Sequence, residues 1–234
     1  MKLSDLTTRV SDHYGRGQPI AIVGGGTRCF LGNAASASES LHEIDAAGYA
    51  GVLDYHPAEL TLRAKAGTRI SELKDLVAAE GQMLAFDPPA YGDASTLGGV
   101  VASGMSGSRR PYAGAVRDFV LGTGLVLHTG EYLEFGGQVM KNVAGYDVSR
   151  LVCGSFGIFG VIADVSLKVL PRPETEQSML LELAQPGAQK LVAEIGARMS
   201  CLSASAYFGD ALRLRLSGTE SAVKADREAI GGDA

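Results

Sequence analysis

Cysteine is scarce in this sequence of 234 residues, which contains Cys29, Cys153 and Cys201. No two of them have the spacing of a metal-binding pair, and their odd number argues against a framework of disulfide bonds. A chain without a cysteine cluster also carries no iron–sulfur centre of its own. We therefore expect a protein of a reducing compartment, without a metal site.

An excess of positive charge is also missing, because 21 Lys and Arg stand against 26 Asp and Glu, a formal net charge of −5. This balance gives no electrostatic reason to bind nucleic acid or an anionic membrane. No apolar run is long enough to span a bilayer, and residues 1–17 lack the apolar core of a secretory signal. We expect a soluble, cytoplasmic protein.

Glycine is abundant, with 31 residues in the chain. This is about twice the average share. The glycines cluster at 24–26, 98–107, 122–137 and 154–160, without a repeat. Such clusters between apolar runs indicate places where the backbone needs a positive φ or where another group approaches the main chain closely.

The apolar pattern predicts the regular elements of the first part of the chain. A helix capped by Ser4 is expected over 4–14, and a short buried strand over 20–23. The pattern further predicts a strand over 60–67, a helix over 69–81 that stops at Gly81, a helix or turn capped by Ser95 or Thr96, a strand–turn–strand over 119–135 with its turn at Thr129-Gly130, a short helix over 147–154 that ends at Gly154, and a β-rich run over 160–171.

A proline-bearing polar segment at 171–177 separates this part from a second one. Beyond it we predict a strand (178–184), a helix (187–199), two strands (202–208 and 211–217) and a helix (219–230). This β-α-β-β-α order is that of a ferredoxin-like split βαβ unit without its last strand. We therefore expect the sequence to be a fragment, or a shortened relative, of a longer protein.

The first glycine cluster lies in "AIVGGGTRCFLGN", residues 21–33. The Rossmann pattern fails there, because Cys29 stands at the third glycine position, and the P-loop pattern fails because the chain has no Gly-Lys dipeptide. A strand followed by three glycines can still present successive backbone N–H groups to an anion. On local evidence a tight strand-to-loop turn explains the segment equally well.

A second cluster lies at residues 87–107, where Pro88 and Pro89 precede two hydroxyl residues and several glycines. Prolines fix an extended approach, and hydroxyls with bare backbone amides suit a multi-oxygen anion such as a pyrophosphate. Close packing of a helix on a sheet explains Gly98 and Gly99 taken alone. Two anion-binding loops fit one long ligand better than two coincidental turns.

Four stretches in this order resemble a known family. They are "IVGGGTRCFLG", "AGTRISELKDLVAAEGQMLAFDPP", "STLGGVVASGMSGSRRPYAGAVRDFVLGTGLVLHTGEYLEFG" and "KNVAGYDVSRLVCGSFGIFGVIADVSLKVLPRP". Together they cover about residues 15–173 and resemble the PCMH-type, or vanillyl-alcohol-oxidase-like, FAD-binding proteins. "KNVAGYDVSRL" and "LRLRLSG" are most similar to the FAD-binding subunits (E-type) of bacterial glycolate oxidases.

The resemblance implies an α+β fold and a cofactor, FAD. It implies a PCMH-type FAD-binding domain of two α/β subdomains (1–173), followed by an incomplete ferredoxin-like α+β substrate or cap domain (178–234). The cofactor-binding residues that it implies are Gly24, Gly25, Gly26, Thr27 and Arg28 on one side of the pyrophosphate; Pro88, Ser95, Thr96, Leu97, Gly98 and Gly99 on the other; Ala102, Ser103, Gly104 and Gly107 beside the ribityl chain and flavin; and Gly160, Val161 and Ile162 beside the adenosine.

The same resemblance bears on covalent attachment. Many relatives carry a flavin-linked histidine just after the glycine loop, where this chain has Thr27 and Arg28. Cys29 follows, and we expect it to be a buried small thiol. The resemblance therefore implies non-covalent FAD.

The implied function is that of an FAD-binding subunit of a flavin-dependent oxidoreductase that acts on a small 2-hydroxy acid such as glycolate. Its partners would be a sister flavoprotein subunit and an iron–sulfur subunit, toward which electrons are relayed. Through these partners the resemblance implies at most a peripheral association with the inner face of a membrane. The alternative is a non-catalytic, FAD-scaffolding or structural subunit without turnover of its own.

No catalytic residue is assigned. The four histidines share no pattern, and the chain has no Gly-x-Ser-x-Gly motif. Lys141, Asn142 and Tyr146 form a polar set that suits either a hydrogen-bonded loop or the polar edge of the flavin. The basic residues of 108–110 suit a solvated surface better than an anion or partner site.

Overall fold

The computed structural model describes residues 1–31, 41–137, 146–196 and 198–231. It contains both helices and strands. The helices are α1 (Leu3–Gly15), α2 (Ile70–Ala79), α3 (Leu97–Ser103), α4 (Arg110–Ala113), α5 (Val148–Leu151), α6 (Gln185–Gly196) and α7 (Glu220–Ile230). The strands are β1 (Ile20–Val23), β2 (His42–Asp45), β3 (Val52–His56), β4 (Thr61–Lys65), β5 (Gln82–Met83), β6 (Val120–Val126), β7 (Tyr132–Gly136), β8 (Val161–Lys168), β9 (Leu170–Pro171), β10 (Thr175–Glu182), β11 (Leu202–Phe208) and β12 (Ala211–Gly218).

The chain divides into two compact units. The first unit comprises Met1–Leu84, Pro88–Met105 and Ala115–Leu170, and the second comprises Ala85–Asp87, Ser106–Gly114 and Pro171–Ala234. Two short segments of the first part of the chain thus belong to the second unit. The domain boundaries that we derived from the sequence stay a prediction.

An antiparallel sheet in the order β3-β4-β8-β6-β7 forms the centre of the first unit. Its strand β8 is buried along nearly its whole length, as expected of a strand covered on both faces. The predicted hairpin is confirmed: β6 and β7 pair from Val126 opposite Tyr132 onward, and Gly130 in the turn has φ +87°.

A smaller, parallel pair of strands, β1 and β2, lies apart from that sheet in the strand order. Helix α1 packs Leu6 and Val10 into one apolar cluster with Ile44 of β2 and Val161 of β8. The predicted cap of α1 is wrong: Lys2 precedes the first turn and its backbone N–H donates to the Asp5 carboxylate at 2.8 Å, so Ser4 lies inside the helix.

The predicted stop of α2 is confirmed, because Gly81 follows the helix with φ +66°. The cap of α3 is also resolved between the two candidates. Thr96 is the capping residue, and its Oγ1 accepts a hydrogen bond from the backbone N–H of Gly99.

The second unit contains a three-stranded antiparallel sheet in the order β10-β12-β11, with helices α6 and α7. Its core includes Met179, Leu214, Leu216 and Val223. The predicted β-α-β-β-α order is confirmed: β10, α6, β11, β12 and α7 follow one another along the chain.

Candidate functional site

A cleft of about 240 Å³ opens in the first unit where β1 ends. Three glycine-containing segments meet there: the loop that follows β1, the start of α3, and the turn that precedes β8. Its lining residues are Ile22, Val23, Gly24, Gly25, Gly26, Thr27, Arg28, Cys29, Ala46, Ala66, Thr96, Gly98, Gly99, Ala102, Ser103, Phe156, Gly157, Gly160 and Ile162.

The glycines of the first loop have different physical reasons. A Cβ on Gly25 would lie 1.5 Å from the Ala94 carbonyl oxygen, and one on Gly24 would lie 2.7 Å from Thr96 Oγ1. The backbone of this loop therefore packs directly on the segment before α3. Gly26 instead has open space around its Cβ position. Its φ is +65°, and this left-handed backbone conformation is the reason that glycine is favoured there.

The backbone N–H groups of this loop have no acceptor among the described residues. Within the described ranges, none of those from Gly24 to Arg28 donates to a protein acceptor. By contrast, the N–H groups of Leu97, Gly98 and Gly99 donate to Thr68 O, Ala66 O and Thr96 Oγ1. The first segment thus offers donors for an anion, and the second segment mainly forms a wall.

Gly98 and Gly99 have different roles in the structure. The sequence alone did not show whether they serve helix packing or anion binding. A Cβ on Gly98 would lie 2.8 Å from the Ala66 Cβ, so this glycine permits close packing of α3. A Cβ on Gly99 would lie 3.2 Å from Thr96 Oγ1 and 3.5 Å from Arg28 Nη1, on the side of the loop.

Arg28 joins the first two segments. Its Nη1 donates to Ser95 Oγ at 2.9 Å and to Thr27 Oγ1 at 3.3 Å, and its Nη2 donates to Pro89 O at 2.6 Å. The guanidinium carbon lies 5.6 Å from the centre of the Tyr91 ring. Burial lowers the pKa of Arg28, since the charged form loses water.

The charge of Arg28 has no carboxylate partner in the described part of the chain. Among the residues that the structure describes, no Asp or Glu oxygen lies within 4 Å of its guanidinium. Its Nε is buried without a hydrogen-bond partner. A partly desolvated cation of this kind makes the cleft attractive to anions.

In the third segment, the turn that precedes β8, the sequence predicted Gly160 as a site residue but not Phe156 or Gly157. Phe156 has φ +52°, and a Cβ on Gly157 would lie 2.7 Å from Ile22 Cδ1. The N–H of Phe156 donates to Ala102 O at 2.9 Å, which ties this turn to α3. Gly160 has φ +143°, and a Cβ there would lie 2.4 Å from Val126 O, which leaves no room for a side chain.

The structure brings together most of the residues that the family resemblance implied. The following line the cleft: Gly24, Gly25, Gly26, Thr27, Arg28, Thr96, Gly98, Gly99, Ala102, Ser103, Gly160 and Ile162. Their role in binding a cofactor stays a prediction.

The other implied residues lie behind the cleft wall or elsewhere. Leu97 and Val161 are fully buried in the core, and Ser95 is buried behind Arg28. The carbonyl of Pro88 accepts from Lys74 Nζ at 3.4 Å. Gly104 ends α3 in the left-handed region against Gly154. Gly107 belongs to the second unit, where a Cβ would lie 2.3 Å from Asp87 O.

Sequence reasoning missed several lining residues. Gly157 and Phe156 were quoted in a motif but not chosen, although a glycine between two others in "GSFGIFG" indicates another turn. Ala46 and Ala66 carry no local pattern that marks them. Both are small residues brought to the cleft by pairing of distant strands.

Two expectations about side chains are corrected. Cys29 is exposed, not buried, and its Sγ donates to Gly26 O at 2.9 Å at the cleft. Arg109 is not solvated: it is 9% exposed, forms an ion pair with Glu176 and donates to Ser217 Oγ at 3.2 Å within the second unit. Lys141 and Asn142 lie outside the described residues, and Tyr146 is 97% exposed.

Several known proteins are similar to this chain in sequence or in fold. Residues 3–136, more than half of the chain, match the family model described as "FAD binding domain". The chain is 43% identical to the glycolate oxidase subunit GlcE of Escherichia coli, over 92% of this chain and 60% of that protein. It is 33% identical to the glycolate oxidase subunit GlcD of Bacillus subtilis, over 55% of this chain and 27% of that protein.

A solved structure of alkyldihydroxyacetonephosphate synthase matches with a TM-score of 0.76 at 19% identity, over 96% of this chain and 47% of that one. This similarity concerns the fold alone. The chain thus spans 60% or less of the length of these relatives. None of the described helices is long and apolar enough to cross a membrane.

Proposed function

Because the chain belongs to the FAD-binding-domain family, as the resemblance of its motifs predicted, we propose that the cleft beside β1 holds the diphosphate of FAD. The proposal rests on the run of N–H groups from Gly24 to Arg28. Among the described residues these groups have no acceptor, and the neighbouring Arg28 has no carboxylate partner. Successive backbone donors and a fixed guanidinium are the groups that bind phosphate oxygens.

The residues present fit this cofactor. The cleft is smaller than the roughly 300–1,000 Å³ of a typical ligand pocket, which suits one portion of a long ligand. Apolar side chains such as Ile22 and Ile162 line it beside the polar loop. Such a lining suits a ligand in which a charged centre joins two flat, apolar groups.

We propose that the attachment is non-covalent. Thr27 and Arg28 follow the glycines, and Thr27 Oγ1 accepts a hydrogen bond from Arg28. Cys29 is the one thiol in the described lining and its side chain is exposed, which is the reason to test the mode of attachment directly.

At the level of the whole protein, we propose an FAD-binding subunit of a flavin-dependent 2-hydroxy-acid (glycolate) oxidase or dehydrogenase. When bound, FAD supplies two-electron redox chemistry, and the chain's residues bind and orient it. The 43% identity to GlcE supports this proposal. The domain plan of two α/β subdomains and an incomplete cap domain belongs to the same proposal.

The proposed partners are a sister flavoprotein subunit and an iron–sulfur subunit, at the inner face of a membrane. Similarity to both the GlcE and the GlcD subunit of glycolate oxidases supports a complex of related flavoproteins. The complex would pass electrons from the 2-hydroxy acid toward the iron–sulfur centre.

A second candidate is an FAD-scaffolding subunit without turnover of its own. One observation favours it: within the described lining of the cleft, no His, Asp or Glu is present to take a proton from a substrate hydroxyl. Under this alternative the chain binds FAD, and a partner subunit oxidises the substrate.

The test is the absorbance spectrum of the full chain after incubation with FAD and removal of free cofactor. We expect flavin bands at about one FAD per chain, and release of the flavin into the supernatant on precipitation with trichloroacetic acid. A colourless protein would contradict the proposed function, and a yellow pellet would contradict non-covalent binding.

A further inference from the structure

Strand β10 is an uncovered edge of the sheet in the second unit. In the order β10-β12-β11 it pairs along all eight of its residues with β12, and no other described strand lies beside it. No described residue outside β12 exchanges a backbone hydrogen bond with this strand. The N–H and C=O groups of alternate residues therefore point away from the sheet and are available to another strand.

Edge strands of native proteins usually carry a feature that hinders pairing with another chain, such as a bulge, a proline or a lysine. The opposite edge strand of this sheet, β11, has a bulge between Leu202 and Ala204, and the edge strand β3 of the large sheet has one between Val52 and Asp54. Strand β10 contains no proline or lysine, and its register with β12 is regular from end to end. Its only charged residues are two glutamates, so their positions decide which pairing is favourable.

A large apolar side chain lies on this edge. Leu180 is 46% exposed, on the sheet face opposite that of the core residue Met179. Its neighbour on β12 is the exposed Arg213, whose guanidinium carbon lies 5.7 Å from the centre of the Phe208 ring on β11. Arg213 therefore extends away from β10, and Leu180 faces solvent beside the open strand edge.

A second copy of β10 can pair antiparallel with the first about a two-fold axis. Opposite residues then lie on the same sheet face, so the axis passes through one residue of the strand. With the axis at Met179, Glu176 lies opposite Glu182 of the other copy, and like charges directly opposite are unfavourable. With the axis at Ser178, Glu176 lies opposite Leu180. With the axis at Leu180, the two leucines lie opposite each other, and Glu182 lies opposite Ser178.

We propose that β10 is a homodimer interface, in which two copies pair about an axis at Leu180 and join their three-stranded sheets into one of six strands. The occupant is a second copy because the strand is complementary to itself in this register: each Leu180 covers the other, and no like charges are opposed. One strand edge buries less than the about 800 Å² per partner of a standard interface, so we expect a weak dimer with a Kd on the order of 10 μM. The inference is independent of the proposed function, because β10 contributes no described residue to the cleft.

The experiment is sedimentation equilibrium of the full chain without FAD, at about 1 to 500 μM, a range that spans the expected Kd. We expect the mass to rise from that of the 24.3-kDa monomer toward twice that value. Leu180→Lys and Leu180→Glu each place like charges at the axis, and an equimolar mixture of the two places opposite charges there. Ile158→Lys is the matched control, because Ile158 is 82% exposed in the first unit and the substitution adds the same charge as Leu180→Lys.

We expect each charged variant of Leu180 to weaken the dimer about 5- to 30-fold, because an apolar pair is lost and a like-charge pair is gained. The mixture should recover the wild-type affinity within about 3-fold, and Ile158→Lys should match the wild type. Ser178→Lys tests the register: it should tighten the dimer about 2- to 5-fold, because the new ammonium lies opposite Glu182 of the other copy. Circular dichroism checks that each variant folds, and Ser178→Glu, which opposes Glu182, replaces a Leu180 variant that does not.

A wild-type chain that stays monomeric over the whole concentration range would overturn the proposal. A dimer that Leu180→Lys leaves unchanged, or that the mixture does not restore, would overturn it as well, because another surface would then hold the two copies together. A weaker dimer in Ser178→Lys would contradict the axis at Leu180. None of these results bears on FAD binding, so the proposed function and this interface can fail separately.

Discussion

At the scale of single residues, neighbouring glycines of one loop have unequal tolerance for a side chain. Gly25 lies against the Ala94 carbonyl, whereas Gly26 faces open space in the left-handed region. A methyl group on Gly25 would therefore clash with a backbone atom, and the clash could be relieved only by moving the main chain. A methyl group on Gly26 meets only the conformational strain of the left-handed region, about 1–2 kcal/mol.

Gly25→Ala should accordingly separate the two segments of the cleft. We expect FAD affinity to fall at least about 10-fold, with a lower thermal midpoint, because each lost factor of ten corresponds to about 1.4 kcal/mol of displaced contacts. Gly187→Ala is the control, since a Cβ there meets nothing within 4 Å and alanine favours its helix. Equal FAD retention in both variants, measured by flavin absorbance, would refute the close-approach argument.

At the scale of elements, an ion-pair network ties three strands of the large sheet together. Arg63 of β4 donates from Nε to Asp164 of β8 at 2.9 Å and also pairs with Glu134 of β7. The Tyr132 hydroxyl donates to Asp164 Oδ2 at 2.8 Å. A Cβ on Gly124 would lie 2.4 Å from both of these oxygens, so this glycine makes room for the network.

Removing the arginine should be costly, because it leaves the Asp164 carboxylate, 3% exposed, without a counter-charge. We expect Arg63→Met to lower the free energy of unfolding by about 3 kcal/mol, measured by urea denaturation. Glu134→Gln is the control: its side chain is 57% exposed, and we expect a change within about 1 kcal/mol. A loss no larger in Arg63→Met than in the control would count against this role.

The elements also show what the sequence could predict. The apolar pattern and the turn residues located β1, α2, the β6–β7 hairpin and β11. Strand β1, which we expected to be buried, is half-buried along its length. The predicted start of α1 was wrong. The backbone N–H of Lys2 donates to the Asp5 carboxylate, and this contact caps the helix instead of the Ser4 side chain.

The site was predictable only where its residues carry a local pattern. Gly24 to Gly26 and Gly98 to Gly99 are visible as glycine runs. The contact of Arg28 with Ser95 spans 67 residues, and the exposure of Cys29 and burial of Arg109 likewise depend on tertiary neighbours. Such features follow from chain topology, which single-sequence patterns do not encode.

At the scale of the whole molecule, the question is whether this chain turns over substrate. Since no described lining residue of the cleft is a carboxylate or histidine, we expect glycolate or D-lactate not to bleach the FAD-loaded chain in anaerobic mixing. Dithionite should bleach it, which serves as the control for a reducible flavin. Bleaching by glycolate alone would instead establish direct oxidation by this subunit.

The cysteines allow the location of FAD to be tested in the intact chain. Cys29 is exposed at the cleft, whereas burial raises the pKa of Cys153 to about 12 and also raises that of the buried Cys201. Because the thiolate is the reactive form, alkylation near pH 8 should be confined to Cys29, and Cys153 should react only as the pH approaches its raised pKa.

The most direct measurement is therefore the rate of Cys29 alkylation by iodoacetamide, followed by mass spectrometry, with and without one equivalent of FAD. We predict that FAD slows the reaction of Cys29 at least about 10-fold in the wild type, since a bound ligand excludes the reagent, and has little effect in Gly25→Ala. Bound FAD that leaves the Cys29 rate unchanged would place the cofactor outside this cleft and contradict the account.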